Sequence, residues 1–225
     1  MIISHLVVTA YYPVKTGKHT PSDYRKWYTQ FFNCVTCPVL CFCPIEFESE
    51  FKLLAKPNVT LVIRDFNSFE MMSPMRMDAW KEWHKVDPEK GIHSPELYAI
   101  WAAKQEFVKE AMKITDYSIY TWCDIGCFRT IHSASFEYVH KYIKPAKITC
   151  ISIIGMIGGT VLSGDKEAWQ LFSNDYISEL NRNIHGKDQI IYRRILNDTN
   201  AVILEPNNKY GDPWFFLTYI FSIVV

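Results

Sequence analysis

Tyr120-Thr121-Trp122-Cys123-Asp124-Ile125-Gly126-Cys127-Phe128-Arg129 is an aromatic, apolar run cut short by an acid, a glycine and an arginine. The stretch from Tyr117 to Cys123 has strand character, so Asp124 stands at a strand's carboxyl end. In open α/β sheets ligands sit in the crevice beyond such ends. A carboxylate there, followed by Gly126 with no side chain to keep a ligand away, is a candidate for holding a charged ligand. The same residues also suit a plain turn, since Asp and Gly are common turn formers.

Working back from this stretch, Ser94-Pro95-Glu96 opens a long helix, with Ser94 as cap and Pro95 in the first turn. Its apolar stripe comprises Leu97, Ile100, Trp101, Phe107, Val108, Ala111 and Met112 at helical spacing. Lys104 falls inside that stripe. Such a lysine either snorkels past its neighbours to water, the default, or pairs with an anion inside. Working forward, Lys147 to Met156 reads as a buried strand that ends at Ile157-Gly158-Gly159-Thr160. Paired glycines at a strand exit let backbone approach a ligand or merely allow a bend. A helix from about Asp165 carries Trp169, Phe172, Tyr176 and Leu180 inward, and a further helix begins at Asp188-Gln189. Helix N-termini favour acids, so Asp188 also suits a capping role.

The first part of the chain supplies more strands. Ile2 to Ala10 reads as a central strand ending at Tyr11-Tyr12-Pro13, two rings suited to the core or to stacking on a base. No Gly-x-Gly-x-x-Gly follows, which weakens a nicotinamide-dependent oxidoreductase. Thr20, Pro21 and Asp23 form a capping box for a helix with Tyr24, Trp27, Tyr28 and Phe31 on one face. Cys34, Cys37, Cys41 and Cys43 crowd into ten residues. Val39, Cys41 and Cys43 nevertheless alternate as one strand face, which makes them small apolar residues rather than zinc ligands. Val59 to Arg64 is the next strand, with Asp65 at its far end as a second acid facing the crevice or a turn acid. Met71 to Gly91 reads as short helices or a loop, and Trp214 to Val225 as a buried strand or packing tail.

The totals fit one ordered globular domain spanning residues 1–225: 48% hydrophobic, 15% aromatic and 21% charged residues. Lys plus Arg equals Asp plus Glu at 24 each, so no overall field draws nucleic acid or an anionic membrane. No apolar run reaches the roughly 18 residues of a transmembrane segment. Seven cysteines, an odd number, and an N-terminus without a secretory pattern point to a reducing, cytoplasmic location. On that reading the sequons Asn58-Val59-Thr60 and Asn197-Asp198-Thr199 are chance matches.

In this order the pieces resemble the HtrL/YibB-like family, which looks like a divergent branch of the GT-A nucleotide-sugar transferases. The likeness rests on Val7-Val8-Thr9-Ala10-Tyr11-Tyr12 with Lys18-His19, and on His93-Ser94-Pro95-Glu96-Leu97-Tyr98 with Trp101 and Lys104. It rests further on Trp122 to Arg129, the most specific string, and on Gly158-Gly159 with Asp188-Gln189. It implies one GT-A-like α/β domain, a mostly parallel central sheet flanked by helices. It also implies transfer of a sugar from a nucleoside diphosphate donor, most simply a uridine one, to a hydroxyl of a glycan or glycoprotein acceptor.

By the same resemblance Thr9, Ala10 and Tyr11, with Asp65, border the nucleotide. Asp124 takes the place of the first acid of the metal-binding Asp-x-Asp motif, where manganese or magnesium meets the donor's pyrophosphate. Gly126, Gly158, Gly159 and Gln189 line the donor and acceptor groove, and Asp188 stands near the anomeric carbon. Gly126 occupies the position of the motif's second acid, and one carboxylate holds such an ion weakly. Lys104 and Arg129 are cations suited to sharing the phosphate charge. A non-catalytic glycan- or partner-binding protein on the same scaffold is the alternative reading.

Overall fold

Apolar runs alternating with capped amphipathic segments give a sheet with helices on both faces. The computed structural model describes residues 4–15, 18–129, 133–207 and 211–223. Its strands are β1 (His5–Ala10), β2 (Val39–Cys43), β3 (Val59–Ile63), β4 (Ile119–Cys123), β5 (Ile148–Ile153), β6 (Met156–Asp165) and β7 (Ala201–Leu204). The α-helices are α1 (Pro21–Cys34), α2 (Glu48–Leu54), α3 (Pro74–Val86), α4 (Pro95–Ile114), α5 (Lys166–Arg182), α6 (Asp188–Ile195) and α7 (Phe216–Ile220). Residues 2 and 3 of the expected first strand, and 224 and 225 of the expected tail, lie outside the described residues.

The seven strands form one sheet in the order β3-β2-β1-β4-β6-β5-β7. Only β6 runs against its neighbours; the other pairings are parallel. The chain winds outward from β1 to β3, and α3 and α4 then carry it back to the other side of β1. The direction of winding therefore reverses between β1 and β4, the kind of switch point beyond whose strand ends α/β sheets bind ligands. Side chains alternate between two cores. Leu6, Val8, Leu40, Phe42, Trp122 and Leu162 pack against α4, α5 and α6. Val7, Cys41, Cys43 and Cys123 pack against α1, α2 and α7. The α/β class and the mostly parallel sheet are as the sequence implied.

Local signals worked where a cap fixed them. Thr20 and Asp23 form the reciprocal capping box of α1, and the Ser94 side chain accepts from the Leu97 amide at the start of α4. Three readings are corrected. Lys147 to Met156 is not one strand ending in glycines but a hairpin, in which Ile154 (φ 50°) and Gly155 (φ 75°) make the left-handed turn and Gly158-Gly159 lie within β6. An isoleucine at positive φ is rare, so the run hid its own turn. Met71 to Gly91 contains a full 13-residue helix, α3, which buries Trp80. The tail packs into the core, as one of its two readings had it, but as helix and not strand: Pro213 opens a single 3-10 turn that leads into α7. No helix among the described residues is long and apolar enough to cross a membrane.

Candidate functional site at the end of β4

Asp124 follows the last residue of β4, and its amide bonds the Thr160 carbonyl of β6 at 2.8 Å. Its side chain points to the same face as that of Trp122, two residues back, whose Nε1 donates to Asp124 Oδ1 at 2.7 Å. From α4, Lys104 reaches the same point. Its ammonium lies 3.2 Å from Asp124 Oδ1, 2.9 Å from Asp188 Oδ2 and 2.8 Å from the Gly159 carbonyl. Three acceptors for three ammonium protons leave nothing unsatisfied. Lys104 therefore does not snorkel. Only 4% of its side chain is exposed, and a charge so placed persists only when paired and hydrogen-bonded.

Asp188 opens α6 and is itself buried, and its Oδ1 accepts from the Gln189 amide at 2.8 Å. Its approach to β6 depends on Gly159. A Cβ there would stand 2.7 Å from Asp188 Oδ2 and 2.7 Å from Tyr192 Cε2, closer than packed atoms tolerate. At Gly158 a Cβ would meet Ile151 Cγ1 at 2.6 Å. The paired glycines thus bring β6 close to its protein neighbours. Burial depresses the Lys104 pKa, but Asp124 and Asp188 outweigh it and the result is a raised value. Burial lifts Asp124 above the ordinary carboxylate range, with Lys104 pulling it down and Asp188 pushing it up. One ammonium between two carboxylates leaves the trio one negative charge in excess. Asp124, 30% exposed at its side chain, presents that charge outward.

Of the other sequence-read residues, some stand level with this trio and others away from it. Continuing the pairing of Val8 with Trp122 by two residues sets Ala10 level with Asp124. Thr9 is fully buried on the opposite face, its Oγ1 without a hydrogen-bond partner among the described residues. Tyr11 is packed edge-on against Phe47 and Tyr28, with centroids 4.8 and 5.2 Å away. Tyr12 stacks on Phe107. Both rings belong to the core. Asp65 is exposed beyond the edge strand β3, three strand spacings or about 14 Å from β4; its carbonyl accepts from Ser68. Arg129 is exposed, its guanidinium 4.4 Å over Trp27 and 5.4 Å from Phe215. A Cβ on Gly126 would lie 3.5 Å from the same Trp27 ring. Burial, and then the charges of Arg129 and Lys18, hold the nearby His19 below its usual pKa.

Two partners of the trio were not read from sequence. The Gly159 carbonyl has no side-chain signature, and the Trp122 indole was signalled only by its i, i+2 spacing from Asp124. For a divalent cation, Asp124 offers Oδ2, whose one hydrogen bond among the described residues comes from Lys104, at 3.4 Å. That fits an ion whose remaining ligands are phosphate and water, as magnesium and manganese accept. It does not make a protein cage. Elsewhere, Asp87, Glu89 and His93 bring one ligand atom each to within 4.8 Å of one another, a group that could hold a metal ion.

No protein-family model matches the chain, and no curated protein matches it. Solved structures do. A nucleotidyl transferase from Methanothermobacter thermautotrophicus matches with a TM-score of 0.51 at 9% identity, over 91% of this chain and 88% of that one. A 4-diphosphocytidyl-2C-methyl-D-erythritol synthase from Anaerococcus prevotii matches with a TM-score of 0.43 at 8% identity, over 90% and 87%. A glycosyltransferase involved in glycosylation of the major capsid of PBCV-1 matches with a TM-score of 0.41 at 9% identity, over 90% and 82%. With the nucleotidyl transferase the chain shares its α/β fold.

Proposed function

We propose that the protein is a glycosyltransferase that moves a sugar from a nucleoside diphosphate donor, most simply a uridine one, to a hydroxyl of a glycan or glycoprotein. The observation that carries this reading is the trio Asp124, Lys104 and Asp188 at the switch point of an α/β sheet. The resemblance to the HtrL/YibB-like transferases and the shared fold support it. Seven free thiols accord with a reducing, cytoplasmic setting.

The roles follow from charge and position. The donor lies in the crevice beyond β1 and β4, its nucleoside bordered by the Thr9-Ala10-Tyr11 backbone and Asp65, its diphosphate toward Asp124 and Arg129. Gly126, Gly158, Gly159 and Gln189 border the groove for sugar and acceptor. Asp124 is the residue that would hold manganese or magnesium, an ion that supplies Lewis-acid neutralisation of the leaving diphosphate. Lys104 holds both acids in place. Asp188 stands toward the anomeric carbon as a base for the acceptor hydroxyl, or as a charge that stabilises the sugar's developing cation.

Asp124→Ala is expected to lower donor turnover about 100-fold or more, the usual scale for losing a preorganised electrostatic partner. The variant should remain folded, because Lys104 keeps Asp188. A uridine diphosphate sugar should raise the melting temperature of the wild type. An unshifted melting temperature with every nucleotide sugar, with and without manganese, would sink the proposal. The closed pairing of Lys104 with both acids favours a second reading, a scaffold that binds glycan without catalysis. Slow release of nucleoside diphosphate from the donor distinguishes the two, since binding alone does not produce it.

A further inference from the structure

One residue before Asp188 the chain enters a second ion cluster. Asp87 caps the end of α3 with a side chain that is fully buried. Its Oδ2 accepts from Tyr98 Oη at 2.5 Å and from His93 Nδ1 at 2.8 Å, and its Oδ1 accepts from the Glu89 amide at 2.9 Å. His84 Nδ1 lies 3.2 Å from the same Tyr98 hydroxyl. The three ligand atoms of Asp87, Glu89 and His93 have the spacing of a cation site, and a cation is there. Lys187 Nζ pairs with Glu89 Oε2 and lies 3.8 Å from Asp87 Oδ1.

The loop that delivers Lys187 is docked as closely as its charge. A Cβ on Gly186 would come within 2.2 Å of Trp83 Cδ1 and 2.8 Å of Tyr98 Cδ1, so only glycine lets the loop lie against α3 and α4. The His185 ring lies 3.9 Å from the Trp83 ring. The next Cα after Lys187 is that of Asp188, about 3.8 Å along the chain. A shift at one is therefore felt at the other.

We propose that Lys187 is the resident cation of the Asp87, Glu89 and His93 group, and that this pairing is a tether that fixes where Asp188 stands against Lys104. Lys187 is thus a positioning residue, and its effect on turnover rests on the transfer reading above. A divalent ion could enter the group only by expelling Lys187, which would loosen α6 at its first residue.

Lys187→Met keeps a flexible four-atom stem and removes the ammonium, at a position 21% exposed. It should lower kcat for donor turnover by up to about 100-fold with donor KM unchanged, the scale expected for a misplaced reacting group. Lys187→Arg should recover most of the loss. Amide exchange in segment 183–192 should quicken in Lys187→Met while that of α4 stays unchanged. Unaltered exchange in 183–192 overturns the tether. So does calorimetric binding of manganese or zinc to the wild type that His93→Ala abolishes. If the wild type releases no nucleoside diphosphate, the transfer reading fails, and the exchange measurement still decides the tether.

Discussion

Two clusters one peptide bond apart use the same parts in opposite orientations. In one, Lys104 lies between Asp124 and Asp188; in the other, Lys187 lies between Asp87 and Glu89. The Lys104 side chain is 4% exposed and Asp124 30%, so the cation is inside and an acid faces out. The Lys187 side chain is 21% exposed and Asp87 not at all, so the acid is inside and the cation faces out. On the proposed reading, an outward carboxylate braced from behind meets a ligand's cation or a reacting hydroxyl. An inward carboxylate saturated by Tyr98, His93 and the Glu89 amide has nothing left to offer except a hold on the loop. The charge inventory is the same, and orientation decides the use.

The comparison is most readily broken at Lys104. Lys104→Met leaves two acids facing each other without the ammonium, and urea unfolding should show a loss of about 3–5 kcal/mol, as for other buried pairs stripped of one partner. Adding Asp188→Asn should restore part of it. A change under about 1 kcal/mol would mean that Lys104 is not the keystone of the trio.

Asp87 gives the next largest effect. Burial pushes its carboxyl up, but Tyr98, the Glu89 amide and His93, with the charge of Lys187, hold it down to about 2. That is below the ordinary carboxylate value of about 3.9, so the unfolded chain binds the extra proton first. Stability should therefore fall by about 2 kcal/mol as the pH drops from about 4 to about 2. The carboxyl carbon resonance of Asp87, followed by NMR, should titrate in the same range. A midpoint near 4 would remove the contrast with Asp124. The smallest effect belongs to Glu89→Gln, which loses a pair whose acid is 50% exposed. Thermal unfolding should register less than about 1 kcal/mol, and a loss as large as that at Lys104 would erase the distinction between the clusters.

Much of the fold was legible because its signals are local. The capping box at Thr20, the Ser94 cap, the strand at Tyr117 to Cys123 and the order of strands and helices all follow from neighbours in sequence. The hairpin at Ile154-Gly155 was not, because an apolar residue at positive φ defeats the turn rules. At the site, Asp124 and Asp188 stood out as acids at element ends, but their joint pairing with Lys104 did not. Residues 104, 124, 159 and 188 meet only through the sheet order, and the default habit of a lysine is to reach water. Tyr11 shows the converse: its residue pattern left core and ligand open and the resemblance set it at the nucleotide, while its ring fills the space under α1 and α2. The Asp87 cluster was missed because its members fall where no clean period marked the helix.

The reversed direction of β6 has a consequence for how the site can change over time. It delivers to Lys104 an oxygen of the main chain, one that no exchange of side chain can delete. Mutation can reach that contact only indirectly, by placing a methyl group at Gly159 and wedging α6 away. Of the three supports under the ammonium, the one without chemistry of its own is thus the hardest to lose and the easiest to crowd out.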